Sequence, residues 1–106
     1  SQWTSIEMTK KVVKVHEMQK IRYKDENFQF NSEIPTEKIV KYCSISEKAE
    51  DLLQKTFAQM GLTGRSCNKI LKVARTIADL EESEKITELH LAEAIGFRSI
   101  DKNYWK

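Results

Sequence analysis

Glycine and proline are scarce in this sequence, with three Gly and one Pro in 106 residues. An all-β chain needs turn residues at regular intervals, so that class is excluded first. Cysteine is scarce too. Cys43 and Cys67 form no C-x-x-C pair and no disulfide framework, a usage that fits a reducing cytoplasm. No apolar run exceeds three residues, which leaves neither a transmembrane helix nor a signal-peptide core. Charge of one sign is also lacking: 18 Lys+Arg stand against 16 Asp+Glu, for a net +2. That balance excludes a strongly basic nucleic-acid arm and an acidic tail.

What is present suffices for one packed domain. The length suits a single core that folds without disulfides or metal, and 40% hydrophobic residues argue against disorder. The first residue is Ser1, not Met, and the chain is read as a fragment of a longer one.

The periodicity is helical throughout, which gives an all-α bundle of about five helices. Thr4 and Glu7 form a capping-box pair, and Met8, Val12, Val15, Gln19 and Tyr23 follow at helical steps, predicting a helix over 5–24. Residues 25–35 break the pattern, with Phe28 and Phe30 expected to tuck an ordered loop onto the core. Pro35 introduces a short helix over 36–42. Ser46 caps a helix over 47–60 whose apolar face is Ala49, Leu52, Leu53, Thr56, Phe57 and Met60, stopped by Gly61. Thr63 caps the next, over 64–81, with Cys67, Ile70, Leu71, Ala74, Ile77 and Ala78 inward. Thr87 caps a last helix over 87–97, with Ile86 and Leu91 as a hydrophobic staple and Leu91, Ala92 and Ile95 inward. The tail from Ser99 is expected to fray, with Tyr104 and Trp105 as residues able to dock.

Motifs for catalysis are missing. Gly61 and Gly64 are not followed by the Lys-Ser/Thr of a P-loop, and no Gly-x-Ser-x-Gly elbow exists. A zinc site would have to recruit His16, Cys43, Cys67 and His90 from four segments, without the clustered spacing such sites show. Most carboxylates fall opposite the apolar faces, where solvation is the default.

The fourth helix is more informative. Arg65, Lys69 and Lys72 share a narrow sector opposite Cys67 and Ala74, with Arg75 to one side. Three readings stand: a solvated face, a surface for phosphates of a nucleotide or nucleic acid, or a face for an acidic protein partner. Arg65 differs from the lysines. It lies in the first helical turn, where the dipole already favours an anion, so a guanidinium there works against local preference by a few tenths of a kcal/mol. Such a conflict points to a task elsewhere, for example a forked contact to phosphate oxygens.

The run from Leu62 to Leu80, L-T-G-R-S-C-N-K-I-L-K-V-A-R-T-I-A-D-L, resembles the L-S-A-R…R-I-L-K-V-A-R-T-I-A-D-L segment of magnesium-chelatase-like AAA+ ATPases of the ComM/YifB group. Ser83-Glu84-Lys85-Ile86, His90-Leu91-Ala92-Glu93-Ala94-Ile95 and Phe97 to Asp101 continue the likeness. Upstream, Gln19, Arg22 and Asn27 occupy slots similar to the family's R-x-x-Q-x-x-R…N, and Cys43 falls where the group often has Cys. The resemblance implies a C-terminal helical lid of an AAA+ ATPase. It maps the family's Ser-x-Arg onto Thr63, Gly64 and Arg65, making Arg65 the sensor-2-like phosphate contact. It further implies ATP and Mg in the full-length protein, with none expected for the fragment alone. The implied partners are the AAA+ core of the same chain, a ring of like subunits and DNA, with no membrane. Gly64 for Ala, Gly96 for Gln and His16 for Arg are departures from the family pattern. Arg75 is expected to form a structural ion pair.

Overall fold

The computed structural model describes residues 4–100, with side chains through Phe97. Its helices are α1 (Ser5–Arg22), α2 (Ile39–Tyr42), α3 (Glu47–Met60), α4 (Gly64–Leu80) and α5 (Glu88–Ile100). Single 3-10 turns at Asn31–Glu33 and Thr36–Lys38 lie between α1 and α2. No strand occurs among the described residues, so the chain is an all-α bundle. The expected dock of Tyr104 and Trp105 lies outside the described residues.

Local chemistry sets the helix starts. Thr4 Oγ1 accepts the Glu7 N–H at 3.1 Å while Glu7 Oε1 accepts the Thr4 N–H at 3.0 Å, a complete capping box. Ser46 Oγ accepts the Ala49 N–H, and Thr63 Oγ1 that of Ser66, each at 3.1 Å. At α5 the reciprocal partner is a histidine. Thr87 Oγ1 accepts the His90 N–H at 3.5 Å, and His90 Nδ1 accepts the Thr87 N–H at 3.0 Å. Nδ1 is therefore unprotonated, and Nε2–H donates to Glu81 Oε1 at 2.9 Å. Gly61 ends α3 in the left-handed region at φ 61°, which a glycine adopts without strain.

Helix α4 is the centre. It packs on α1, α2, α5 and the Asn31–Glu33 turn, while α3 packs on α5. Ile70, Ala74 and Ala78 are fully enclosed, and the small alanines let the neighbouring helices approach closely. Tyr23, Phe28 and Tyr42 close one end as an aromatic cluster with centroids 4.8–6.2 Å apart. Burial raises the Tyr23 hydroxyl to about 12. A parallel bridge of Ile45 with Ile86 ties the loops before α3 and α5 together.

Several inward assignments change. Phe57 and Met60 are exposed near the end of α3, and Ala92 is exposed on α5, where Leu91 is buried as expected and His90 and Ala94 are buried beside it. The inward face of α5 is fixed by its packing on both α3 and α4. Residues 25–35 contain a 3-10 turn, and Phe28 is buried while Phe30 is only half-buried.

Candidate functional site

Two arginines on α4 have opposite fates. Arg75 is 3% exposed, and each of its three guanidinium nitrogens makes a hydrogen bond. Its Nε lies 3.2 Å from Asp79 Oδ1, one helical turn on, while Nη1 donates to Glu84 O at 2.8 Å and Nη2 to Ser83 O at 2.6 Å. Those carbonyls belong to the α4–α5 turn, where Glu82 takes φ 56° without being a glycine. The Ser83 N–H bonds to Ala78 O and the Glu82 N–H to Asp79 O, closing a Schellman-type end. The Arg75 clamp offsets the cost of holding a side-chain-bearing residue there. The expected ion pair is thus present, and Arg75 is structural.

Asp79 is the hub of a buried polar cluster. Arg22 forks onto it, Nη2–Oδ1 at 2.7 Å and Nη1–Oδ2 at 2.9 Å. Those bonds hold the guanidinium still more firmly protonated than usual. Asn31 Nδ2 donates to Oδ2 at 2.9 Å and to Thr76 Oγ1 at 3.0 Å, and Gln19 Oε1 accepts the Asn31 N–H at 3.0 Å. Tyr23 Oη donates to Asn31 Oδ1. The asparagine that joins Gln19 and Arg22 in space is Asn31, while Asn27 is exposed. Asp79 and Asn31 were both missed by sequence reasoning. The available signal was Asp79 at i+4 from Arg75, inside an apolar stretch.

Arg65 stands apart from this cluster. It is exposed in the first turn of α4, just after Gly64, and no carboxylate pairs with it among the described residues. That turn carries no acidic residue, whereas the first turns of α1, α3 and α5 carry Glu7, Glu47 with Glu50, and Glu88. Helix dipole and guanidinium therefore add to a local positive potential open to solvent. Lys69 is half-buried on the same sector. Lys72, also half-buried, sends Nζ to within 3.4 Å of Ser32 O. The three expected basic residues thus share a face of α4, with Arg65 presented most openly.

Metal ligation finds little support. No three His, Cys, Asp or Glu side chains gather as ligands would among the described residues. His90 has both nitrogens occupied, His16 packs against Phe30, and Cys43 is a core residue whose thiol burial raises to about 11. Nor is any described helix long and apolar enough to cross a membrane.

Residues 2–98 match the family described as "Magnesium chelatase, subunit ChlI C-terminal". The chain belongs to that family. It is 39% identical over 97 residues to competence protein ComM of Haemophilus influenzae, covering 92% of this chain and 18% of the relative. It is 36% identical over 99 residues to the uncharacterized protein YifB of Salmonella typhimurium, covering 93% and 19%. The YifB protein of Escherichia coli is 36% identical over 81 residues, covering 76% and 16%. The chain thus spans under one-fifth of the length of these relatives. No solved structure matches it.

Proposed function

We propose that this domain is the helical lid of a magnesium-chelatase-like AAA+ ATPase, and that Arg65 contacts the phosphates of ATP in the full-length protein. The observation that carries the reading is the exposed guanidinium of Arg65, without a carboxylate partner among the described residues, at the acid-free start of α4. It fits a polyphosphate substrate in charge and in its open presentation. As negative charge grows on the transferred phosphoryl group, a forked donor already in place stabilises it. Thr63 caps the helix and fixes where Arg65 leaves the backbone. Arg75 and Asp79 hold the other end of α4, so lid position and Arg65 position move together. Mg accompanies ATP in this reading, but no residue here is assigned to it. In this reading the full-length protein forms a ring of like subunits in a cytoplasmic setting, which two cysteines outside any disulfide fit. A DNA-processing role belongs to the same reading, and a relative named as a competence protein is in keeping with it.

The test is the steady-state ATPase rate and ATP affinity of the full-length protein with Arg65→Ala and Arg65→Lys. A rate reduced tenfold or more with affinity little changed supports a transition-state contact; arginine fingers in related chemistry contribute about 10³–10⁵. An unchanged rate refutes it.

The second reading is a nucleic-acid-binding or protein-interaction module using Arg65, Lys69 and Lys72. Three phosphate contacts on duplex DNA give a log–log salt slope near −3. The Lys72 contact to Ser32 O and the half-burial of Lys69 weigh against that value.

A further inference from the structure

Helix α5 opens on a variant of a common device. In a capping box the residue three past the Ser or Thr cap is Glu or Gln, whose oxygen accepts the cap's own N–H. Here that position holds His90, and the acceptor is an imidazole nitrogen: Nδ1 takes the Thr87 N–H at 3.0 Å. A Glu or Gln keeps its acceptor at every pH near neutrality. An imidazole does not, because a second proton occupies the same lone pair that the amide uses.

The ring is held so that this proton has one place to go. It is buried, and its Nε2–H already donates to Glu81 Oε1 at 2.9 Å. The added proton falls on Nδ1 and meets the Thr87 N–H, donor against donor. The oxygen within reach is Thr87 Oγ1 at 3.2 Å, which otherwise receives the His90 N–H at 3.5 Å. Glu81, at the end of α4, pairs with the charged ring through Nε2, so the cap opens without expelling the side chain. Other charges nearby have different partners or face water. Arg75 of α4 binds Ser83 O and Glu84 O, and Lys48, Asp51 and Lys55 of α3 gather round Glu88. Glu84, Lys85, Glu88 and Glu93 are exposed, and the segment from Ser44 to Ser46 that bonds to Ile86 carries no charge. A positive charge in the first turn of α5 also opposes the helix dipole.

We propose that Thr87 and His90 form a proton-operated cap, which releases the first turn of α5 when the imidazole takes up its second proton. The release is local. The Leu91 N–H still bonds to Thr87 O at 3.0 Å, and the bridge of Ile45 with Ile86 anchors the chain just before the cap. What loosens is the link between the α4–α5 turn and the start of a helix that packs on both α3 and α4.

Amide exchange and ring-nitrogen NMR of this chain between about pH 8 and pH 5 test it, with exchange expressed as protection against each amide's intrinsic rate. Thr87 protection should fall by roughly threefold or more, the scale of one ordinary hydrogen bond, in step with the His90 ring. Ile70, enclosed at the centre of α4, should keep its protection over the same range. His90→Gln restores the usual capping-box residue and should hold Thr87 protected at both ends of the range. Unchanged Thr87 protection while the ring takes up its proton overturns the proposal, as does a ring that stays neutral throughout. A parallel loss at Ile70 reports opening of the whole domain and overturns it too. So does a His90→Gln chain that loses Thr87 protection at the same pH, which assigns the change to another group.

Discussion

Asp79→Ala should be among the most damaging single changes in this domain. The carboxylate side chain is fully enclosed, and it is the one anion facing Arg75 among the described contacts of that guanidinium. Arg75 is itself 3% exposed and cannot turn to water. Its bonds to Ser83 O and Glu84 O would remain, but the charge would stand uncompensated, which costs about 3–5 kcal/mol. Asn31 Nδ2 and Gln19 Nε2, which donate to Asp79 Oδ2 at 2.9 and 3.4 Å, would each lose that acceptor, about 1 kcal/mol apiece in isolation, though effects within one network do not add. Arg22 contributes less to the loss, since 22% of its side chain already reaches solvent. Total stabilities of such domains run at about 5–15 kcal/mol, so the variant should sit near its folding threshold. In a domain of this size the loss should lower Tm by roughly 15–30 °C.

Urea unfolding followed by far-UV circular dichroism at neutral pH measures the loss directly. Two companions isolate its cause. Asp79→Asn keeps the shape but not the charge, so it should lose most of what Asp79→Ala loses. Asp79→Leu with Arg75→Met removes both charges and should recover part of the loss, as replaced buried pairs do. A cost under about 1 kcal/mol for Asp79→Ala, or no recovery in the double variant, refutes the uncompensated-charge account.

Two further outcomes follow. The Lys38 ammonium hydrogen-bonded to Glu26, with help from the Tyr42 hydroxyl, holds the Glu26 carboxyl below its ordinary 4.5. A depressed folded value stabilises above the unfolded value and is lost as pH falls through the folded one, so Glu26→Gln should flatten the stability profile below about pH 4.5. Denaturation midpoints across that range check it, and parallel profiles would rule it out. Gly61 and Gly96 both face open space, yet they should respond with opposite sign. Gly61→Ala places a Cβ at φ 61° and should cost about 1 kcal/mol, whereas Gly96→Ala inside α5 should stabilise by about 0.5–1 kcal/mol in the same urea assay.

The legible parts of this fold were those decided within a few residues. Thr4, Ser46, Thr63 and Thr87 cap helices because a hydroxyl reaches an amide two or three positions on, whatever lies elsewhere. The division of the α1 stripe was not decided locally. Met8, Val12 and Val15 share period and residue type, and only the length of the packed neighbours on α4 buries Val15 and leaves the other two half-open. The polar hub escaped for a related reason. Asp79 reads as one more helix carboxylate until Arg22 and Asn31 arrive from another segment. Asn31 gave no signal of its own, because it lies in the loop where helical periodicity ends.

Arg65 and Arg75 show how far the candidate site itself could be read. Both are arginines on one helix, and composition cannot separate them. Position separates them in part: Arg65 opposes the dipole at its end of α4, while Arg75 sits mid-helix with Asp79 one turn on. The structure adds what sequence lacks, the two turn carbonyls that engage Arg75 and the absence of a carboxylate at Arg65 among the described residues. A buried guanidinium with all three nitrogens hydrogen-bonded fixes a fold. One left open at an acid-free helix start remains available to a phosphate brought from outside, and Arg65→Ala distinguishes the two roles by moving ATPase rate without moving stability.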